Sequence, residues 1–256
     1  MFWLLALLLG VYVVWHFFRT LNGVPVLMFH KIDPESRDGL TVSVPQFEQY
    51  LQWLQDRSYQ TITLDQLLTS NQQRKPLPPR SVLITFDDAY VNNLTYALPV
   101  LQRLGMQAVL FVPTAFVGGC NEWDGCTDAL MTTDQLRQLL PTFELALHSH
   151  RHLNYKHQTA PAIQADLTEN IAAFHALNLP YAPAFAYPYG GRPKDSATKR
   201  AMQETMQQRG IQLAFRIGNR LNRFPFSNRY ELQRLDIRGT DSLAQFARKV
   251  RFGKLI

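Results

Sequence analysis

From residue 24 onward, short unbroken apolar runs alternate with longer stretches in which apolar residues recur every three or four positions. The runs predict buried strands at 24–29 (VPVLMF), 82–86 (VLITF), 108–112, 143–147, 185–187, 213–217 and 232–237, with a shorter one at 61–64. The amphipathic stretches predict helices at 45–57, 65–69, 92–104, 133–140, 162–177, 195–209 and 242–249. Pro45 suits a first helical turn, and Phe47, Tyr50, Leu51 and Leu54 share one face. Gly105 suits a left-handed cap. The polar, proline-rich stretch 71–80 and the stretch 113–130 predict loops. Apolar strands alternating with helices predict an α/β fold, with a parallel sheet covered on both sides or closed into a distorted (β/α) barrel. In closed barrels the reactive groups gather at the carboxyl ends of strands.

Residues 2–18 (FWLLALLLGVYVVWHFF) follow another pattern, with no Lys, Arg, Asp or Glu. The run is near the short limit for a membrane-spanning helix, and Trp3 and Trp15 lie near its ends, as interfacial aromatics do. No basic residue follows Met1 and no A-x-A-like site follows the run, which favours an uncleaved anchor over a signal peptide. The expected organisation is a transmembrane anchor at 1–19 and one catalytic domain at 20–256. Arg19, Lys31 and Arg37 follow the span and none precedes it, which would hold the domain in the cytoplasm. Cys120 and Cys126, in the loop GGCNEWDGC, are spaced for a local disulfide and point instead to an oxidising compartment, with two free buried cysteines as the alternative.

The 256-residue length allows one large domain or two small ones, and an α/β barrel uses this length as one. Charged residues make up 18% and hydrophobic residues 46%, which excludes a disordered chain. The net charge of +6 is dispersed, without a run of five like charges. It suits attraction to anionic lipid or glycan, and no nucleic-acid partner is expected. Two cysteines exclude a disulfide-rich scaffold and a four-cysteine zinc finger.

Chemistry-bearing residues collect at four predicted strand ends. VLITF runs into Asp87-Asp88, two carboxylates that cost free energy to desolvate unless paired. Capping of the helix that begins near Asn92 is the alternative use for them. The strand at 143–147 runs into His148-Ser149-His150-Arg151-His152. His148 and His152 stand four apart, as on a helical turn, whereas His148 and His150 would share a face of an extended segment. Spacing alone does not choose between these pairs. The first strand ends in His30, and the strand at 185–187 in Pro188-Tyr189-Gly190-Gly191, a turn whose backbone N–H groups could face a ligand. One carboxylate and two imidazoles make an O,N,N site for zinc or a similar divalent ion, leaving the second carboxylate for base work.

These residues resemble the polysaccharide deacetylase (NodB-type) family, carbohydrate esterase family 4. Thr85-Phe86-Asp87-Asp88 matches its first signature, His148-Ser149-x-x-His152 its second, and Pro188-Tyr189-Gly190 the end of its third. The resemblance implies Asp87 as catalytic base and Asp88, His148 and His152 as metal ligands, with the backbone N–H of Tyr189 helping to hold the oxyanion. His150 falls on a non-ligand position. Two departures stand out. The Arg that usually precedes Pro-Tyr-Gly and orients the base is missing, and Arg234 is the candidate replacement. The usual C-terminal Leu-x-x-His is absent. Instead Val26-Leu27-Met28-Phe29-His30 resembles the N-terminal segment of the permuted branch acting on poly-β-1,6-N-acetylglucosamine, which implies His30 as general acid.

The expected activity is therefore metal-dependent, most simply zinc-dependent, removal of N-acetyl groups from amino sugars of a cell-envelope or exported polysaccharide. The expected partners are an N-acetylated glycan and the inner membrane, with the domain on the periplasmic face and the cytoplasmic face as the alternative. Rival readings are deacylation of a lipid-linked sugar, a zinc amidase acting on peptidoglycan peptides, and a membrane-tethered glycan-binding module without catalysis.

Overall fold

The computed structural model describes residues 23–35 and 38–253. Seven parallel strands close a barrel: β1 (Val26–Phe29), β2 (Ser81–Asp87), β3 (Ala108–Val112), β4 (Phe143–Leu147), β5 (Ala184–Ala186), β6 (Leu213–Ile217) and β7 (Leu232–Asp236). Each strand pairs with the next in sequence, and β7 returns to β1 through Leu235↔Leu27 and Asp236↔Met28. Helices pack around the barrel or across its end: α1 (Val44–Asp56), α2 (Leu64–Gln73), α3 (Leu98–Arg103), α4 (Thr133–Gln138), α5 (Ala160–Ala176), α6 (Ser196–Gln208) and α7 (Leu243–Phe252). Because all strands run one way, their carboxyl ends form a single mouth.

Alternation along each strand divides the core in two. Outward residues such as Phe29, Ile84, Phe86, Leu110 and Leu147 pack under the helices in one cluster. Inward residues such as Val26, Leu83, Val109, Phe111 and Leu213 form another, joined by Leu64, Leu67 and Leu68 of α2. Thus α2 closes the amino-terminal end of the barrel, and Glu144 of β4 caps that helix by accepting the Leu64 N–H at 2.7 Å. Each fully buried leucine contributes about 1.5–3 kcal/mol relative to exposure.

Several expected boundaries are corrected. The expected strand at 61–64 is only Gln60–Thr61, because Thr63 and Gln66 form a capping box that starts α2 at Leu64. That helix runs on through the first part of the expected loop at 71–80, ending at left-handed Arg74. The expected helix at 92–104 is interrupted. Asn93–Ala97 is a π turn and α3 follows. Pro99 cannot donate the α-type bond to Thr95, and a widened turn precedes it. Two short pairings escaped the pattern: Lys31–Asp33 with Thr41–Ser43, and Gly23–Val24 with Asn222–Arg223. The expected anchor at 1–19 lies outside the described residues. Among the described residues no helix is long and apolar enough to cross a membrane.

Candidate active site

The mouth gathers side chains from four strand ends. Asp87 is the last residue of β2, and the chain turns sharply after it through Asp88 (φ 74°) and Ala89 (φ 61°), both left-handed. This turn separates the two carboxylates. Asp87 continues the inward register, while Asp88 swings toward β4. Neither side chain caps the helical segment that begins at Val91: the Val91 N–H donates to the Ala129 carbonyl and the Asn93 N–H to that of Tyr90.

His148 follows β4 directly. Its Nδ1–H donates to the Ala186 carbonyl of β5 at 2.8 Å, so Nε2 presents its lone pair to the mouth. The segment after it is not a helical turn. Left-handed Ser149 (φ 67°) and His152 (φ 53°) fold it back instead, which corrects the helical reading of the four-residue spacing. Asp166 of α5 braces this fold by accepting the N–H groups of His150 and Arg151 at 3.1 and 3.0 Å and the Tyr155 hydroxyl at 2.6 Å. His152 is thereby returned beside His148, with ring centroids 5.1 Å apart. His150 faces elsewhere, its Nδ1 2.9 Å from Thr114 Oγ1.

Asp88 Oδ1 lies 3.3 Å from His148 Nε2 and 3.2 Å from His152 Nε2. One ligand atom from each of these three buried residues falls within 4.8 Å of the others. Asp88 Oδ1 is buried without a well-directed hydrogen bond among the described residues, and such an oxygen facing two imidazole nitrogens is the donor arrangement that a divalent ion satisfies. The three residues therefore fit a metal ion. Burial alone would raise the Asp88 carboxyl, but the two imidazoles outweigh it and hold the group well below the usual carboxylate range.

Asp87 is gripped from the lumen by Arg234 of β7. The guanidinium Nη1 meets Oδ1 at 2.5 Å and Nη2 meets Oδ2 at 2.7 Å, a bidentate fork. Arg234 is fully buried, 5.3 Å above the Phe111 ring. Burial raises the Asp87 carboxyl, but Arg234, aided by His148 and His30, overcomes it and keeps the group ionised below its ordinary range. His30 follows β1, and its Nε2 stands 3.9 Å from Asp87 Oδ2. Asn93 holds the His30 carbonyl at 2.9 Å. Tyr189 lies on the Pro188–Gly190 turn after β5 with φ 57°, its half-exposed ring 4.8 Å from that of His152.

Sequence reasoning passed over two contributors. Asp166 shares the inward face of α5 with Ile163, Leu167 and Asn170, and an acid at a core position of an apolar helix face is a signal that could have found it. Trp123 stacks on His152 at 4.0 Å from a loop without periodicity, where no pattern points to it.

Comparison with known proteins agrees with this geometry. A family model described as polysaccharide deacetylase matches residues 74–213, more than half of the chain. YxkH of Bacillus subtilis is 29% identical over 190 residues, covering 73% of this chain and 63% of that protein. The poly-β-1,6-N-acetyl-D-glucosamine N-deacetylase of Staphylococcus epidermidis is 28% identical over 185 residues, covering 68% of this chain and 61% of that one. The chain thus spans about three fifths of the length of these curated relatives. The solved structure of IcaB from Ammonifex degensii superposes with a TM-score of 0.76 at 22% identity, over 90% of this chain and 97% of that one, and so shares the fold. The chain belongs to the polysaccharide deacetylase family.

Proposed function

We propose that this chain is a metal-dependent hydrolase that removes N-acetyl groups from the amino sugars of a cell-envelope or exported polysaccharide, with poly-β-1,6-N-acetylglucosamine as the substrate class. The observation that carries the reading is an ionised Asp87, clamped by Arg234, beside the Asp88, His148 and His152 donor set. The name of the Staphylococcus epidermidis relative supports the substrate class.

Asp88, His148 and His152 would hold the ion, with zinc favoured by the mixed oxygen and nitrogen donors. A bound divalent ion would polarise the acyl carbonyl and ease deprotonation of the attacking water. Asp87 accepts that proton. Its oxygens each keep a lone pair beyond the one engaged by Arg234, and the fork fixes the carboxylate plane. The backbone N–H of Tyr189 donates to the carbonyl oxygen as negative charge develops there. His30, within 4 Å of Asp87, protonates the amine nitrogen as the C–N bond breaks. Acetate and a sugar bearing a free amine leave. Convergence of Asp87, Asp88, His148, His152 and His30 in one mouth argues against a module that binds glycan without catalysis.

The same reading tethers the domain to the periplasmic face of the inner membrane through residues 1–19. The bridged Cys120–Cys126 pair supports an oxidising compartment, against the basic residues that follow the span. Protection of the domain from protease in spheroplasts would overturn that placement. The activity is tested by acetate release from β-1,6-linked N-acetylglucosamine oligomers. Release that stops with chelator and returns with zinc is expected. Glycan binding with no release by metal-loaded protein would favour the binding module.

A further inference from the structure

The two imidazoles of the donor set are held in different ways. His148 is fixed by a hydrogen bond from Nδ1 to the Ala186 carbonyl at 2.8 Å. His152 Nδ1 is buried and has no hydrogen-bond partner among the described residues. An imidazole on a terminal sp³–sp² torsion has a broad rotational preference, so something else must set the plane of this ring. The Trp123 indole lies against it, with centroids 4.0 Å apart and planes 29° from parallel.

Trp123 itself sits on a three-residue turn, Glu122–Asp124, that buries none of its residues. Its surroundings are therefore held mainly by the loop. Cys120 and Cys126 bridge across the turn, with Cα atoms 5.1 Å apart. Inside the bridge, Asn121 is almost fully buried. Its side chain accepts the Asp128 N–H at 2.8 Å and its carbonyl accepts the Cys126 N–H at 3.0 Å. Phe116 meets the indole edge-to-face at 5.0 Å.

We propose that Trp123 is the positioning residue for His152, doing for that ring what the Ala186 carbonyl does for His148, and that the Cys120–Cys126 bridge keeps Trp123 in place. The inference rests on reading Asp88, His148 and His152 as a metal centre. Partners that orient a metal-binding imidazole are commonly worth about 10–100-fold in affinity. Here a stacked ring takes that part, and a surface disulfide acts on the metal through it.

The test is the zinc dissociation constant, measured by competition with a chromophoric chelator on metal-stripped protein. Five proteins are compared: wild type, Trp123→Ala, Trp123→Phe, Cys120→Ser with Cys126→Ser, and that serine pair combined with Trp123→Ala. Trp123→Ala is expected to weaken zinc about tenfold, while Trp123→Phe, which keeps a stacking ring, retains most of the affinity. The paired serine variant is expected to weaken zinc to a similar degree. Adding Trp123→Ala to it should cost no more than the larger single effect, because both act through one contact. Wild-type affinity in Trp123→Ala, or full additivity of the two changes, would overturn the proposal. If Trp123→Ala fails to fold, the serine pair decides, and wild-type zinc affinity in it would overturn the proposal. A wild-type protein that binds no zinc would instead defeat the metal-centre reading itself.

Discussion

At the base of the barrel the inward positions hold Leu83 of β2, Val109 of β3, Leu213 of β6 and Leu232 of β7, closed off by Leu64 and Leu67 of α2. A few steps along the same strands the inward positions hold Thr85 and Asp87 of β2 and Arg234 of β7. Both ends are almost equally dry, with Leu67 and Arg234 at 0% exposure and Asp87 at 3%. The difference is what burial does. At the base it stabilises the fold directly. At the mouth it removes water from charges and would destabilise the fold if they were not paired, so the pairing keeps neutral what burial would otherwise penalise. The mouth is thus a place where stability is not gained but chemistry is made available.

Changes at the two ends should separate activity from stability. The largest effect is expected from His148→Ala, which removes a proposed ligand and its bond to Ala186. Metal content and turnover should fall together to background, read by metal analysis and acetate release. His30→Ala should keep its metal and slow turnover by roughly 10²–10⁴-fold, the scale of a lost general acid. An early-melting variant that turns over normally would assign His30 to structure alone.

Arg234→Met leaves Asp87 buried without its main cation. A loss of about 3–5 kcal/mol in unfolding free energy is expected, measured by denaturant titration. The pH dependence follows by sign. In the wild type the Asp87 carboxyl is held below its unfolded value, so its stabilising contribution is present above that value and fades as pH falls through the folded one. Without the guanidinium, burial raises the carboxyl, and the acidic limb of the rate profile should move to higher pH. The smallest catalytic effect is expected at the base. Leu67→Ala should cost about 2–5 kcal/mol of stability and leave turnover per folded molecule unchanged.

Much of this arrangement is written in local pattern. The seven barrel strands are short, mostly apolar runs of three to seven residues, a signal that survives without tertiary information. Asp87, Asp88, His148 and His152 are visible because polar groups follow such runs directly. Other features depend on distant partners. Arg234 sits in the short run LQRLD, and only the register with β6 and β1 shows that it points inward to Asp87. The pairing of Gly23–Val24 with Asn222–Arg223 spans two residues on each side and carries no period. Ser149 and His152 turn through left-handed conformations that spacing cannot reveal, so a four-residue interval looks helical although it is not. Trp123 is positioned by loop closure rather than by periodicity.

The central claim is that two adjacent carboxylates divide the work, Asp88 holding the metal and Asp87 moving the proton. The most direct measurement takes Asp87→Asn and Asp88→Asn through parallel metal analysis and acetate-release assays on one β-1,6-linked oligomer. Asp87→Asn should carry a full complement of metal and lose roughly 10²-fold or more in turnover, whereas Asp88→Asn should lose both. Metal stripped from Asp87→Asn but retained by Asp88→Asn would contradict the account.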